Sequence, residues 1–166
     1  TIALPGGLTI SSEIIQERWF YAEQLPGSAK LKAIFKNNDG TLSLDAWVPA
    51  LENEVIIELE STVNTSVDLE LWTPTGQGSN AELGVENGCA WIHRSFDTLP
   101  YLQWPTYMAM AMNHQNGKVV LLSGKKVTIV ISIYTNHDTE RWHEKAIEET
   151  SSITELALSN IRKQHQ

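Results

Sequence analysis

Residues 30–48 alternate apolar and polar side chains around a four-residue turn, and no other segment restricts the possible folds as tightly. Leu31, Ala33 and Phe35 alternate with Lys30, Lys32 and Lys36; Leu42, Leu44, Ala46 and Val48 alternate with Thr41, Ser43, Asp45 and Trp47. Successive side chains of a strand point to opposite faces, so this period sets one face against a core and the other in water. Between the two runs, Asn37-Asn38-Asp39-Gly40 supplies residues that tolerate a positive φ, and the segment predicts a β-hairpin. Pro49 has no amide donor and ends the second strand.

Two further units follow the same logic. Val55, Ile57 and Leu59, the Asn64-Thr65-Ser66 turn, and Val67, Leu69 and Leu71 predict a second hairpin over 54–73. Its other face carries Glu58, Glu60, Asp68 and Glu70, four carboxylates that repel one another unless water or cations neutralise them. A solvated acidic face is the ordinary outcome. A short strand is expected over 89–94. Then come strands over 107–112, 118–122 and 127–134, read as a meander in which Met108, Met110 and Met112 oppose Ala109 and Ala111. The last strand is apolar on both faces, which marks a central or covered position.

The ends are read as helical. Residues 12–25 are a possible short N-terminal helix capped by Ser12 and stopped by Pro26-Gly27. Residues 138–163 predict one long amphipathic helix, with Asp138 as N-cap, Arg162 and Lys163 in the last turn, and an apolar stripe including Trp142, Ile153, Leu156 and Ile161. Strands joined by short turns, with helices only at the ends, imply antiparallel sheets. The expected fold is mainly β: one domain over 1–166, with an antiparallel, jelly-roll-like β-sandwich over 26–135 and the C-terminal α-helix over 138–163.

Charge narrows the partners. Twenty acidic against 12 basic residues leave a net charge of -8, and the lysines and arginines are scattered, which argues against nucleic acid. No apolar run reaches the ~20 residues of a membrane span, and no signal-peptide pattern opens the chain, although Thr1 is compatible with a processed leader. Cys89 is the one cysteine, so neither an intrachain disulfide nor a thiolate metal cage can form. The compartment is left open.

No motif carries a complete chemistry. Gly76-Gln77-Gly78-Ser79-Asn80-Ala81 has the spacing of a dinucleotide fingerprint, but the glycine-interrupted residues after it cannot make the helix that would hold a pyrophosphate. His143-Glu144 opens like a zinc-protease helix, yet Ile147 stands where the second histidine belongs; His137, Glu140, His143 and Glu144 read as a solvated helix start. Cys89, His93, Arg94 and Asp97 can be written as nucleophile, base and orienting group, but nothing lowers the thiol pKa or forms an oxyanion hole. Asn64-Thr65-Ser66 matches a glycosylation acceptor, a pattern common by chance. No cofactor and no metal is expected.

Six tryptophans turn attention to aromatic surfaces. Tyr101, Trp104 and Tyr107 cluster with Met108 and Met110 beside Pro100 and Pro105. Planar rings on proline-stiffened loops suit sugar stacking or an apolar contact equally. The sequence favours a non-catalytic interaction or assembly module that meets a protein partner, or further copies of itself to form a homo-oligomer. Its contact surfaces would be Tyr101, Trp104, Tyr107, Met108 and Met110, with the helix stripe at Trp142, Ile153, Leu156 and Ile161. A carbohydrate-binding module using the exposed aromatics is the alternative; a small enzyme or metal-binding protein comes third.

Overall fold

The computed structural model describes residues 5–16, 19–49, 52–74, 79–96 and 104–165. Among them the chain is mostly β, with two antiparallel sheets and two helices. The strands are β1 (Gly7–Ser11), β2 (Trp19–Leu25), β3 (Lys30–Lys36), β4 (Thr41–Trp47), β5 (Glu54–Ser61), β6 (Thr65–Trp72), β7 (Asn80–Glu86), β8 (Cys89–Phe96), β9 (Thr106–Met112), β10 (Gly117–Leu121) and β11 (Lys126–Thr135). The helices are α1 (Trp142–Ser152) and α2 (Glu155–His165). No helix among the described residues is long and apolar enough to cross a membrane.

The chain divides into two compact units, one of Thr1–Leu8, Leu71–Gln115 and Ile131–Ile153, the other of Thr9–Glu70, Asn116–Val130 and Thr154–Gln166. In the second unit the strands run β2-β3-β4-β5-β11 in one sheet and β1-β6-β10 in the other. The predicted first hairpin is β3–β4, paired from Lys36↔Thr41 to Lys30↔Trp47. Its turn is closed by the Asn37 side-chain oxygen, which accepts the Asp39 and Gly40 amides at 2.9 Å each. Residues 19–25 are a strand rather than a helix: they pair with β3 along their whole length. The run Trp19-Phe20-Tyr21 fits a pleated surface better than a helix, and Ser12 caps only one isolated turn, its hydroxyl accepting the Ile14 amide at 3.3 Å.

The second predicted hairpin contains the right strands with the wrong partners. β5 pairs with β4 and β11, whereas β6 pairs with β1 and β10. Most of β5 is buried, on both of its faces, and a strand so covered needs a hydrogen-bonded neighbour on each side. The β5–β6 connection is held by the 122–125 turn. The Ser123 hydroxyl donates to the Thr62 carbonyl at 2.7 Å, the Ser123 amide to Asn64 Oδ1 at 2.9 Å, and the Gly124 amide to the Ser61 carbonyl at 2.8 Å. Gly124 sits at φ 68°, a backbone region that favours glycine.

Glu58, placed by sequence on a solvated acidic face, is instead buried. Lys126 Nζ lies 3.1 Å from one carboxylate oxygen, and the Arg162 guanidinium of α2 engages the other. Two cations therefore offset the like charge of Asp45, which stands directly opposite on β4.

In the first unit the strands run β11-β9-β8-β7. The predicted meander is corrected here: β9 lies between β8 and β11, while β10 leaves to pair with β6 in the other unit's smaller sheet. Consecutive strands are neighbours through β2–β5 and through β7–β9, so the jelly-roll order does not describe these sheets. On one face Trp91 pairs with Ala111 and His93 with Ala109, and these alanines pair in turn with Ser132 and Tyr134. Two methyl-sized side chains between larger neighbours form a trough. Ala146 and Ile147 of α1 fill it, with Ala109, Ala111 and Ala146 all but fully buried. Trp91 also reaches sideways over Gly84 of β7, where a Cβ would come within 2.4 Å of its ring.

The single long helix expected over 138–163 is two helices. Thr150-Ser151-Ser152 turn their hydroxyls back onto helix carbonyls, including Thr150 Oγ1 to Ala146 O at 3.0 Å and Ser151 Oγ to Glu148 O at 3.2 Å. Hydroxyls that compete for backbone acceptors weaken a helix end. Ile153 is extended (φ -66°, ψ 125°), and Thr154 restarts the helix by accepting the Ala157 amide at 3.2 Å.

Replacing the clamped carboxylate tests the second unit. Glu58→Ala is expected to lower unfolding free energy by about 1–3 kcal/mol, since it leaves two cations without their partner. Glu60→Ala on the same strand should stay within about 0.5 kcal/mol. Urea denaturation measures both; equal effects would contradict the clamp.

Candidate functional site

Thr106, the start of β9, and Thr135, the end of β11, lie at one end of the first unit's sheet, and Trp104 and Tyr107, two of the aromatic residues singled out by sequence, lie there. Asn136 ties the strands together. Its side-chain oxygen accepts the Tyr107 amide at 2.9 Å, its NH2 donates to the Pro105 carbonyl at 3.1 Å, and its own amide donates to the Tyr107 carbonyl at 3.0 Å. Next to it, Thr106 Oγ1 and His137 Nε2 are 3.4 Å apart. Trp104, Pro105, Tyr107, Asn136 and His137 line an open recess of ≈ 460 Å³. Trp104 is 66% exposed at its rim. Among the described residues no carboxylate, lysine or arginine lines it.

Behind the recess the rings are packed in series. Tyr107 stacks on Trp142 with centroids 6.0 Å apart and planes 17° from parallel. Trp142 meets His93 edge-on at 4.6 Å, and His143 meets Trp91 in the same way at 4.8 Å. α1, seated in its alanine trough, therefore carries the residue that holds Tyr107 in place. Trp142 was expected to present an interaction stripe; it is half-buried and packed as a buttress between Tyr107 and His93.

The other predicted contact residues separate. Met108 and Met110 are 9% and 3% exposed, on the face of β9 opposite the trough, so they are core rather than contact surface. Tyr101 lies outside the described residues. Ile153 marks the helix break, Ile161 is half-buried on α2, and Leu156 is 73% exposed. The expected continuous stripe is thus interrupted at its middle.

The chemical constellations do not assemble. Cys89 is buried, its thiol directed at the Asn87 carbonyl at 3.9 Å. Four residues along a strand put His93 roughly 13 Å away. His93 instead opposes Glu82 across the β7–β8 ladder, at 4.0 Å. Asp97 lies outside the described residues, and Arg94 is buried over Phe96 with its guanidinium donating to Ser79 Oγ at 2.9 Å. Asp138 is not the helix N-cap: it accepts the Thr135 amide and hydroxyl, each at 2.8 Å, in the turn before α1. His137 and Glu140 therefore precede the helix, and among the described residues no three metal-ligating side chains gather. Asn80–Glu86 is a strand, so no helix follows the glycine pattern at 76–81.

By architecture the described residues form antiparallel β-sheets, with α1 laid on one sheet face of the first unit. No family model matches the chain, and no curated protein is similar to it. Among solved structures, a putative kojibiose phosphorylase from human microbiome shares its fold, with a TM-score of 0.60 at 12% identity. The likeness covers 95% of this chain and 26% of that one, so the chain spans about a quarter of its neighbour's length. This likeness overturns the expectation of a non-catalytic interaction or assembly module: the fold is one that forms part of a putative kojibiose phosphorylase.

The division between buttress and rim is open to test. Trp142→Ala should cost about 2–3 kcal/mol in urea unfolding, because it opens a cavity between α1 and Tyr107. Trp104→Ala should change stability by less than about 0.5 kcal/mol. A reversal of that order would contradict the arrangement.

Proposed function

We propose that this chain is a β-sandwich domain of a carbohydrate-active enzyme and that it contacts neutral saccharide at the recess bounded by Trp104 and Tyr107. The observation that carries the reading is the fold likeness, along nearly the whole chain, to the putative kojibiose phosphorylase. That protein is about four times as long as the matched portion, so the role proposed for these residues is saccharide contact within such an enzyme.

The recess supports the reading chemically. A pyranose ring offers an apolar C–H face and a rim of hydroxyls that both donate and accept. Exposed Trp104 supplies a flat apolar surface for the first. For the second, the Asn136 amide has one N–H and a carbonyl lone pair beyond the bonds that hold β9, and His137 and Thr106 add groups of either polarity. A lining without carboxylate, lysine or arginine among its described residues, in a chain of net charge -8, disfavours anionic sugars.

Isothermal titration of the full chain with kojibiose and with maltoheptaose tests the proposal. Binding is expected for at least one, with Trp104→Ala raising its Kd roughly tenfold, as loss of one stacking platform implies. Absence of heat with both sugars at millimolar concentration would overturn it.

A further inference from the structure

In the second unit, the face of β2, β3 and β4 that carries Trp19 and Tyr21 combines exposed rings with balanced charge. Trp19 and Tyr21 are 53% and 47% exposed. Two residues apart on one strand, they point to the same side with roughly 7 Å between their backbone positions. β2 is the end strand of its sheet, yet it is held by seven consecutive residue pairs with β3. Phe20, on the opposite face, stacks on Phe35 at 6.4 Å. The two rings thus sit on a fixed backbone rather than on a loop.

Their polar surroundings follow from the register. Lys36 stands opposite Trp19, Ile34 opposite Tyr21, and Ser43 opposite Ile34. Glu23 accepts the Tyr21 hydroxyl at 2.8 Å, which pushes the phenol pKa up and keeps it protonated. Lys30, Lys32 and Lys36 share this face with Glu23 and Asp45; at its border on β5 stand Glu60 and Glu58, the latter engaged by Lys126 and Arg162. The chain as a whole carries -8, whereas among the described residues of this face and its border cations and carboxylates nearly balance.

We infer that this face is a second saccharide-contact surface, taking a neutral glycan chain whose sugar rings lie on Trp19 and Tyr21. The inference rests on the carbohydrate reading above but uses a separate set of residues. Near-balance of charge leaves little of the attraction that a nucleic acid, an acidic polysaccharide or a basic peptide would need. Alternating donors and acceptors beside flat rings meet the demands of an uncharged polyhydroxyl ligand.

The test compares the full chain with its Trp19→Ala, Tyr21→Ala and Trp104→Ala variants in titrations with maltoheptaose. Circular dichroism melts confirm that each exposed-ring variant stays folded. The expected result is a roughly tenfold rise in Kd for Trp19→Ala and a smaller rise for Tyr21→Ala, with binding still measurable in Trp104→Ala. Maltoheptaose affinity unchanged in both β2 variants overturns the second surface and leaves the carbohydrate reading standing. No binding by the unaltered chain overturns both. Concentration-dependent self-association that Trp19→Ala abolishes, without any change in sugar affinity, also overturns the inference, since the rings would then serve a protein contact.

Discussion

Much of the first unit depends on how closely α1 approaches its sheet. β9 sets the small side chains of Ala109 and Ala111 against the helix, and Ala146 answers them from α1. With a methyl group on each side, backbone and sheet can come near enough for Trp142 and His143 to reach the rings of Tyr107, His93 and Trp91. A larger residue at 109 or 111 would lift the helix, as overpacking does in any dense interior. Tyr107 would then lose its stacking partner. The same alternation that buries Met108, Met110 and Met112 on the other face creates the trough, so one seven-residue strand serves two packed layers.

That dual use explains how far the sequence was legible. Strands with short-range signals were readable: the Asn37–Gly40 turn and its period-two flanks specify β3–β4 almost residue by residue. Partner choice was not. Nothing within residues 54–73 says that β5 needs a neighbour on each side, because that requirement comes from what packs on its faces. The acidic pattern of β5 likewise points to water until Arg162, over a hundred residues later, closes on Glu58. The helix break was legible in principle. Thr150-Ser151-Ser152-Ile153-Thr154 strings together hydroxyl and β-branched residues that favour caps over helix interiors, and Thr154 followed by Glu155-Leu156-Ala157 is an N-terminal signal. The apolar stripe of Trp142, Ile153, Leu156 and Ile161 outweighed it, although the residues sit in two helices.

The aromatic inventory proved informative once exposure divided it. Trp47, Trp91 and Trp142 belong to packing, whereas Trp19 and Trp104 project from backbone held by ladders or by the Asn136 bonds. Sequence grouped Trp104 with Met108 and Met110 because they are close along the chain. β9 begins at Thr106 and turns Met108 and Met110 inward, whereas Trp104 precedes the strand and stands at the rim. The second exposed pair, Trp19 and Tyr21, was hidden by reading residues 12–25 as a helix, in which the rings would not have shared a face.

The account's central claim is that saccharide meets Trp104 and Trp19 and leaves the packed tryptophans alone. Indole N–H resonances in a ¹H–¹⁵N spectrum report the six tryptophans separately, and adding maltoheptaose to the full chain tests the claim most directly. The account predicts saturable shifts for Trp104 and Trp19, with Trp47, Trp91 and Trp142 unmoved. An unchanged spectrum, or shifts confined to the three packed indoles, would contradict it.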